Sequence, residues 1–257
     1  MVARQVSGVE FYQFANLLNC KGLWHGIFTR RNGCSPAPFD SLNVAYGLGD
    51  EAGNVARNRS MICRAIGPGR MITARQVHGR GIRVLSADDP AEFCGDSQLP
   101  GDALVTDLPG LFLTIQVADC QAVLLYDPRK RVAANVHSGW RGSIRNIIAG
   151  TIQTMTDRFG CRSRDLMAAV GPSLGPCCAE FVNYRHEIPA PLWSYKCGAD
   201  HFDFWAMSRD QLLGTGVPDG HICLSRQCTK CRTDQFFSYR GESHTGRFAA
   251  VIALQPD

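Results

Sequence analysis

The stretch LFLTIQVADCQAVLLYDPRKRVAANVHSGWRGSIRNIIAGTIQTMTDRF, residues 111–159, decides the fold. Its apolar runs at 111–117, 122–126 and 132–136 have strand length and are separated by polar or turn-forming residues. Asp127-Pro128-Arg129-Lys130 carries turn chemistry and joins the last two runs as a hairpin. Beyond the HSGWRG segment, Ile144, Ile147, Ile148, Ile152, Met155 and Phe159 recur at helical spacing, which predicts a helix over 142–159 packed on that sheet. A run of strands with a hairpin and interspersed helices argues for an α+β fold with a mixed sheet, rather than regular βαβ winding.

Outward from this stretch, residues 22–30 read as a strand, followed by a loop rich in glycine and proline from 31 to 49. Loops of that length inside a domain are commonly functional. Asp50 is placed to cap a helix running to about Ile66, with Val55, Ile62, Ala65 and Ile66 on one face and Gly67 as its stop. Further strands are expected at 71–77, 82–85, 103–106, 165–170, 221–224 and 247–254, with a helix near 208–213.

Three residues stand where such strands run out into polar or glycine-containing turns: His78 in QVHG, Cys120 in QVADC and His137 in NVHSG. Singly, each has an ordinary explanation, because cysteine is commonly buried and a histidine at a strand end is commonly a satisfied structural group. Together, and beside Asp119 and the tightly turning Ser138-Gly139-Trp140-Arg141-Gly142, they read as one divided metal site. A thiolate and two imidazoles fill three positions of a zinc ion and leave the fourth for water or substrate, the arrangement of a catalytic site. The helix N-terminus just after His137, with Arg141, is a ready anion site.

At 257 residues with 45% hydrophobic content, the chain has ample core and needs no staples. No linker interrupts it, so residues 1–257 are read as a single domain. No leader-like N-terminus and no apolar run of membrane-spanning length is present, which leads to the expectation of a soluble, cytoplasmic protein. The twelve cysteines are scattered and are expected to be reduced thiols. A net charge of +4 without a basic run gives no support for a nucleic-acid partner. Of the 27 basic residues only Lys21, Lys130, Lys196 and Lys230 are lysines; arginine suits planar recognition of phosphate and carboxylate.

Several other signatures fail. GLGDEAG (47–53) has the wrong glycine spacing for a dinucleotide fingerprint, and no P-loop or nucleophile-elbow motif occurs. Cys228-Thr229-Lys230-Cys231 is a CxxC without a second pair at zinc-ribbon spacing, so a structural zinc is not expected there, and the adjacent Cys177-Cys178 reads as structural or incidental.

From FTRRNGCS and FDSLN through QVHG, DALVT, ADC, HSGWRG, GPSLGPCC and FFSYR to TGR, nearly the whole chain resembles the YfiH-like family. Its members also carry the labels multicopper polyphenol oxidoreductase laccase, purine nucleoside phosphorylase and peptidoglycan editing factor. The resemblance implies an α-β-β-α sandwich with mixed sheets and a metal-ligand trio at His78, Cys120 and His137. The chain departs from the family pattern at Ser138, where alanine is usual, at Cys34, and at Gly241, which replaces a second arginine after FFSYR.

The family labels imply different chemistries, and the residues arbitrate among them. A blue multicopper oxidase draws on His-x-His pairs, and the seven histidines, at 25, 78, 137, 186, 201, 221 and 244, form none. Divalent zinc with one thiolate and two neutral imidazoles keeps a net charge near +1, which attracts an anion. With this charge, the resemblance implies zinc-dependent phosphorolysis of purine nucleosides, including adenosine, inosine and methylthioadenosine, to free base and ribose 1-phosphate. Adenosine deamination is the expected side activity, with copper able to replace zinc in vitro. Asp119 is the candidate acid/base or supporting group. Arg30, Arg141, Arg240 and Arg247 are the candidate phosphate-binding residues. The alternatives are a peptidoglycan-editing cysteine hydrolase or amidase, with Cys120 as nucleophile and His137 as base, and a copper-dependent polyphenol oxidase.

Overall fold

The computed structural model describes residues 1–85 and 95–256. An N-terminal hairpin, β1 (Val2–Val6) and β2 (Val9–Gln13), leads through α1 (Ala15–Leu18) to β3 (Leu23–Phe28), a long loop and α2 (Ala52–Ile66). There follow β4 (Arg70–Arg75), β5 (Ile82–Leu85), β6 (Gly95–Pro100), β7 (Ala103–Thr106), β8 (Leu111–Val117), β9 (Gln121–Asp127) and β10 (Val132–Ser138). The second half comprises α3 (Trp140–Ile144), α4 (Ile147–Phe159), β11 (Met167–Val170), α5 (Tyr184–Glu187), β12 (Lys196–Cys197), β13 (His201–Phe202), α6 (Phe204–Gly214), β14 (Ile222–Leu224), α7 (Tyr239–Glu242) and β15 (Phe248–Leu254).

The strands form two large mixed sheets, ordered β1-β2-β3-β15-β8-β4-β6 and β14-β11-β9-β10-β7-β5. Antiparallel pairs dominate, while β4 runs parallel to β6 and β8, β5 to β7, and β11 to β14. Alternate residues of each central strand face opposite ways, so each sheet buries two faces. Leu113, Ile115 and Ile252 of the first sheet meet Leu124, Tyr126 and Ala133 of the second in a shared core. Ile62 and Ala65 of α2 cover the outer face of the first sheet against Phe28, Phe112 and Val251. Ile148, Ile152 and Met155 of α4 cover the second against Val123, Leu125 and Val136. The result is the expected α-β-β-α sandwich. Asn135 crosses the shared core, donating from Nδ2 to the Leu113 and Ala250 carbonyls at 2.8 Å each.

Within residues 111–159 the strands and the hairpin stand as expected, and Asp127 Oδ1 closes the turn by accepting from the amides of Arg129 (2.8 Å) and Lys130 (3.0 Å). The helix expected over 142–159 is two helices. Asn146 breaks it in the left-handed region (φ 51°), which asparagine tolerates, and its side chain caps α4 by accepting from the Ala149 amide. Asp50 does not cap α2. Its carboxylate is taken by Ser35 Oγ (2.7 Å) and Asn43 Nδ2 (2.8 Å), which with the fully buried Asn58 tie down the 31–49 loop. The strand expected to reach Val77 ends at Arg75, because the amides of 77–79 turn onto a carboxylate across the sandwich.

Leu124 is fully buried between the sheets. Leu124→Ala is expected to cost about 2–5 kcal/mol of unfolding free energy, read by urea denaturation with an unchanged m-value.

Candidate metal centre

His78 lies in the turn after β4, Cys120 immediately precedes β9, and His137 is the penultimate residue of β10. Their donor atoms all fall within 4.8 Å of one another. Cys120 Sγ stands 3.8 Å from His78 Nε2, and the two imidazole rings are nearly perpendicular, 4.8 Å between centroids. Exposure rises from His137 (buried) through Cys120 (intermediate) to His78 (exposed), so the donors face outward into a cleft of about 790 Å³. Gly139 passes so close that a Cβ there would stand 2.9 Å from His78 Cδ2 and 3.0 Å from Cys120 Sγ. Glycine in HSGWRG is needed to let the backbone approach the donors.

The residue that sets this geometry is Asp102, at the entrance to β7 and fully buried. Its carboxylate accepts from the amides of His78 (2.9 Å) and Gly79 (2.8 Å) and lies 2.8 Å from His137 Nδ1. Those amide bonds hold His78 at a positive φ of 56°. With Nδ1 engaged by the carboxylate, Nε2 is the nitrogen of His137 left to meet a metal, an arrangement that suits a carboxylate–histidine–metal triad. Burial pushes the Asp102 carboxyl up, but the His137 and backbone hydrogen bonds outweigh it and hold it below its ordinary range. Sequence reasoning missed this residue. The signal was an aspartate entering an all-apolar strand in DALVT, which resembles an ordinary turn residue.

In the metal-free chain, burial raises the Cys120 thiol, but the charge and hydrogen bonds of His137 and His78 bring it down to about 6. Burial lowers His137, but the Cys120 thiolate and Asp102 lift it to about 9. The pair is thus a thiolate and an imidazolium at neutral pH. A soft thiolate and two imidazoles with one position free suit zinc or a similar borderline metal, so the residues fit the implied ion.

Asp119 sits at φ 83° and its carboxylate is engaged by groups outside the trio. It accepts from Thr229 Oγ1 (2.6 Å), Ser238 Oγ (2.7 Å) and the Arg240 amide (2.5 Å), bonds that suit a loop anchor. Arg141, Arg240 and Arg247 line the cleft. Arg141 lies over the Trp140 ring at 4.3 Å, and Arg240 donates to the Glu180 carbonyl at 2.8 Å. Arg30 is not brought to the cleft: its guanidinium is buried against Glu242 (2.6 Å), Asp40 (3.4 Å) and the Thr233 carbonyl. Sequence reasoning also missed the cleft aromatics, Tyr46 and Phe181 from loops and Phe204 and Tyr239 from the first positions of α6 and α7, which arrive from segments distant in sequence.

Among the described residues, metal-compatible donors converge at one further place, Cys177, Cys178, Cys228 and Cys231. The reading of Cys228 and Cys231 as a pair without partners is therefore corrected, because Cys177-Cys178 is the second pair. No trinuclear histidine cluster forms among the described residues. None of the described cysteines is in a disulfide, and no helix is long and apolar enough to cross a membrane.

A mixed α-β-β-α sandwich presenting a cysteine and two histidines to a cleft lined by arginines defines a class of proteins with potential metal ligands grouped in an open pocket. This chain belongs to the multi-copper polyphenol oxidoreductase laccase family, whose model matches residues 24–255. It is 32% identical over 244 residues to a purine nucleoside phosphorylase of Bacteroides thetaiotaomicron, covering 88% of this chain and 89% of the relative. It is 33% identical over 239 residues to one of Deinococcus radiodurans, covering 90% and 88%. The crystal structure of Bacillus licheniformis YfiH superposes with a TM-score of 0.88 at 27% identity, covering 98% of this chain and 99% of that one. That of YlmD from Geobacillus stearothermophilus gives 0.86 at 29% identity, covering 98% of each.

Asp102→Asn would remove the charge beside His137 and set an amide N–H against the N–H of Gly79 or His78, loosening the hold on both histidines. Zinc affinity is expected to fall about 10–100-fold with the fold retained, measured by chelator competition. Between pH 6 and 9 zinc must displace the His137 proton. Affinity in wild type should therefore rise by at least about tenfold per pH unit and level off above about 9, in the same assay.

Proposed function

We propose that the chain is a zinc-dependent purine nucleoside phosphorylase acting on adenosine, inosine and methylthioadenosine. The observation that carries this reading is the convergence of His78, Cys120 and His137 at the floor of a cleft that Arg141, Arg240 and Arg247 also line. The names of the relatives agree with it. Zinc held by the trio would supply Lewis acidity and a local positive charge beside the bound anion.

The chain's own groups account for the rest. Guanidinium groups bind the phosphate, and their planar donors keep one of its oxygens directed at the ribose. Tyr46, Tyr239 and Phe181 give apolar ring faces for the purine, leaving the sugar toward the trio. A phosphate oxygen bonds to C1′ as the bond from C1′ to N9 breaks, and the electron pair leaves on the purine, which takes a proton. Asp119 acts as a positioning residue, tying the Cys120 turn to the segment that carries Arg240. Adenosine deamination uses the same pocket: water adds to C6, the C6–N6 bond breaks, and the amino group leaves as ammonia with one proton of the water while the other goes to N1, giving inosine.

One further observation favours a second reading. Asp102, His137 and Cys120 form a connected series in which the thiol is held at about 6, as in a cysteine hydrolase or amidase of the peptidoglycan-editing kind. Metal content separates the two, because coordination occupies the thiolate.

Protein purified without an affinity tag is expected to hold zinc in the trio and to release base from adenosine and inosine only with phosphate present. Cys120→Ala and His137→Ala are each expected to reduce that turnover by at least about 100-fold, together with loss of the cleft zinc and an unchanged far-UV spectrum. Full activity in either variant would overturn the phosphorylase reading. A metal-free active thiol would establish the hydrolase.

A further inference from the structure

Beside Asp119, two turns that follow parallel strands lie side by side. β11 leads into GPSLGPCC and β14 into SRQCTKC, and the parallel pairing of Ala168, Ala169 and Val170 with Ile222, Cys223 and Leu224 keeps them in step. The contact continues past the strands, where the Ser173 amide donates to the Gln227 carbonyl and the Thr229 amide to the Ser173 carbonyl, each at 3.1 Å. This register brings Cys177 and Cys178 onto Cys228 and Cys231.

The four sulfurs lie within 4.8 Å of one another, with Cys177 to Cys231 at 3.7 Å and Cys178 to Cys231 at 3.6 Å. A disulfide draws two sulfurs to about 2.05 Å. A tetrahedral zinc with Zn–S bonds of about 2.3 Å holds its thiolates about 3.8 Å apart, close to the two distances from Cys231. An iron–sulfur cluster, with its irons standing between the cysteines, spreads the sulfurs farther.

The surroundings suit a closed metal site. Gly175 approaches so closely that a Cβ there would stand 2.7 Å from Trp205 Cη2 and 3.1 Å from Cys228 Cβ. The donor set is all thiolate and numbers four, so no position is left for substrate.

We propose that Cys177, Cys178, Cys228 and Cys231 bind a structural zinc ion, separate from the cleft, that clamps the two turns together. Thr229 lies within the clamp and donates to Asp119 Oδ1, and the Leu174 amide, three residues before Cys177, donates to the Asp119 carbonyl at 2.8 Å. The clamp therefore supports the backbone that presents Cys120 without touching substrate. Cys177 and Cys231 are exposed, so the ion enters and leaves from the surface.

The test counts metal in protein purified without an affinity tag under reducing conditions. His137→Ala, which disables the trio, is expected to retain one zinc per chain. Its cobalt-substituted form is expected to show the intense visible bands of a tetrahedral, thiolate-rich site. Cys177→Ser/Cys231→Ser, made in that background at the two exposed positions, is expected to lose both the zinc and the bands. Absence of zinc and of the cobalt bands from folded His137→Ala would overturn the proposal, as would a disulfide within the quartet found by mass spectrometry. The count on His137→Ala reads this site whether or not the cleft turns over nucleosides.

Discussion

The carboxylate of Asp102 is the constraint on which the site depends. It enters from β7 in one sheet, holds the turn after β4 from the other, and fixes the ring of His137 on β10. A fully buried carboxylate is costly unless it is paired and hydrogen-bonded. Here the amides of His78 and Gly79 and the imidazole of His137 supply those partners, so the cost is offset only when both sheets are correctly stacked. The same bonds that stabilise the charge also aim the donors. Packing between the sheets and geometry at the cleft are therefore one problem for this chain.

Metal and proton compete for a single place between Cys120 and His137. Without metal, a thiolate and an imidazolium neutralise each other in the cleft. With metal, the proton departs and both groups turn to the ion. This equivalence explains how one set of side chains supports two different functional readings, and why donor geometry alone does not separate ligand from nucleophile.

What was legible in the sequence followed local physical rules. Alternating and continuous apolar runs located the central strands, Asp127-Pro128 located the hairpin, and the positions of His78, Cys120 and His137 at strand ends located the trio. What was not legible depended on pairing across long separations. The 4-Cys cluster exists because β11 and β14 run parallel, a relation that no spacing rule connects. Asp102 reads as a turn residue until its partners, 23 to 35 positions away, are known. Arg30 shares the polar-turn setting of Arg141 and Arg240, yet Glu242 and Asp40 draw it under the loop. Asn146 shows the opposite failure, a local capping preference overridden in the reading by strong helical periodicity.

The place of β15 bears on biosynthesis. It is the last strand in the sequence and lies in the interior of its sheet, hydrogen-bonded to β3 on one side and β8 on the other. A chain emerging from the ribosome holds the edges of β3 and β8 open until residues 248–254 follow, since neither strand can substitute for the missing one. The half-finished sandwich leaves Asn135 without the Ala250 carbonyl and Phe236 without Phe248. Completion of the sheet therefore waits for the synthesis of residues 248–254, and a chain that stops short of β15 leaves the edges of β3 and β8 as an exposed template for aggregation.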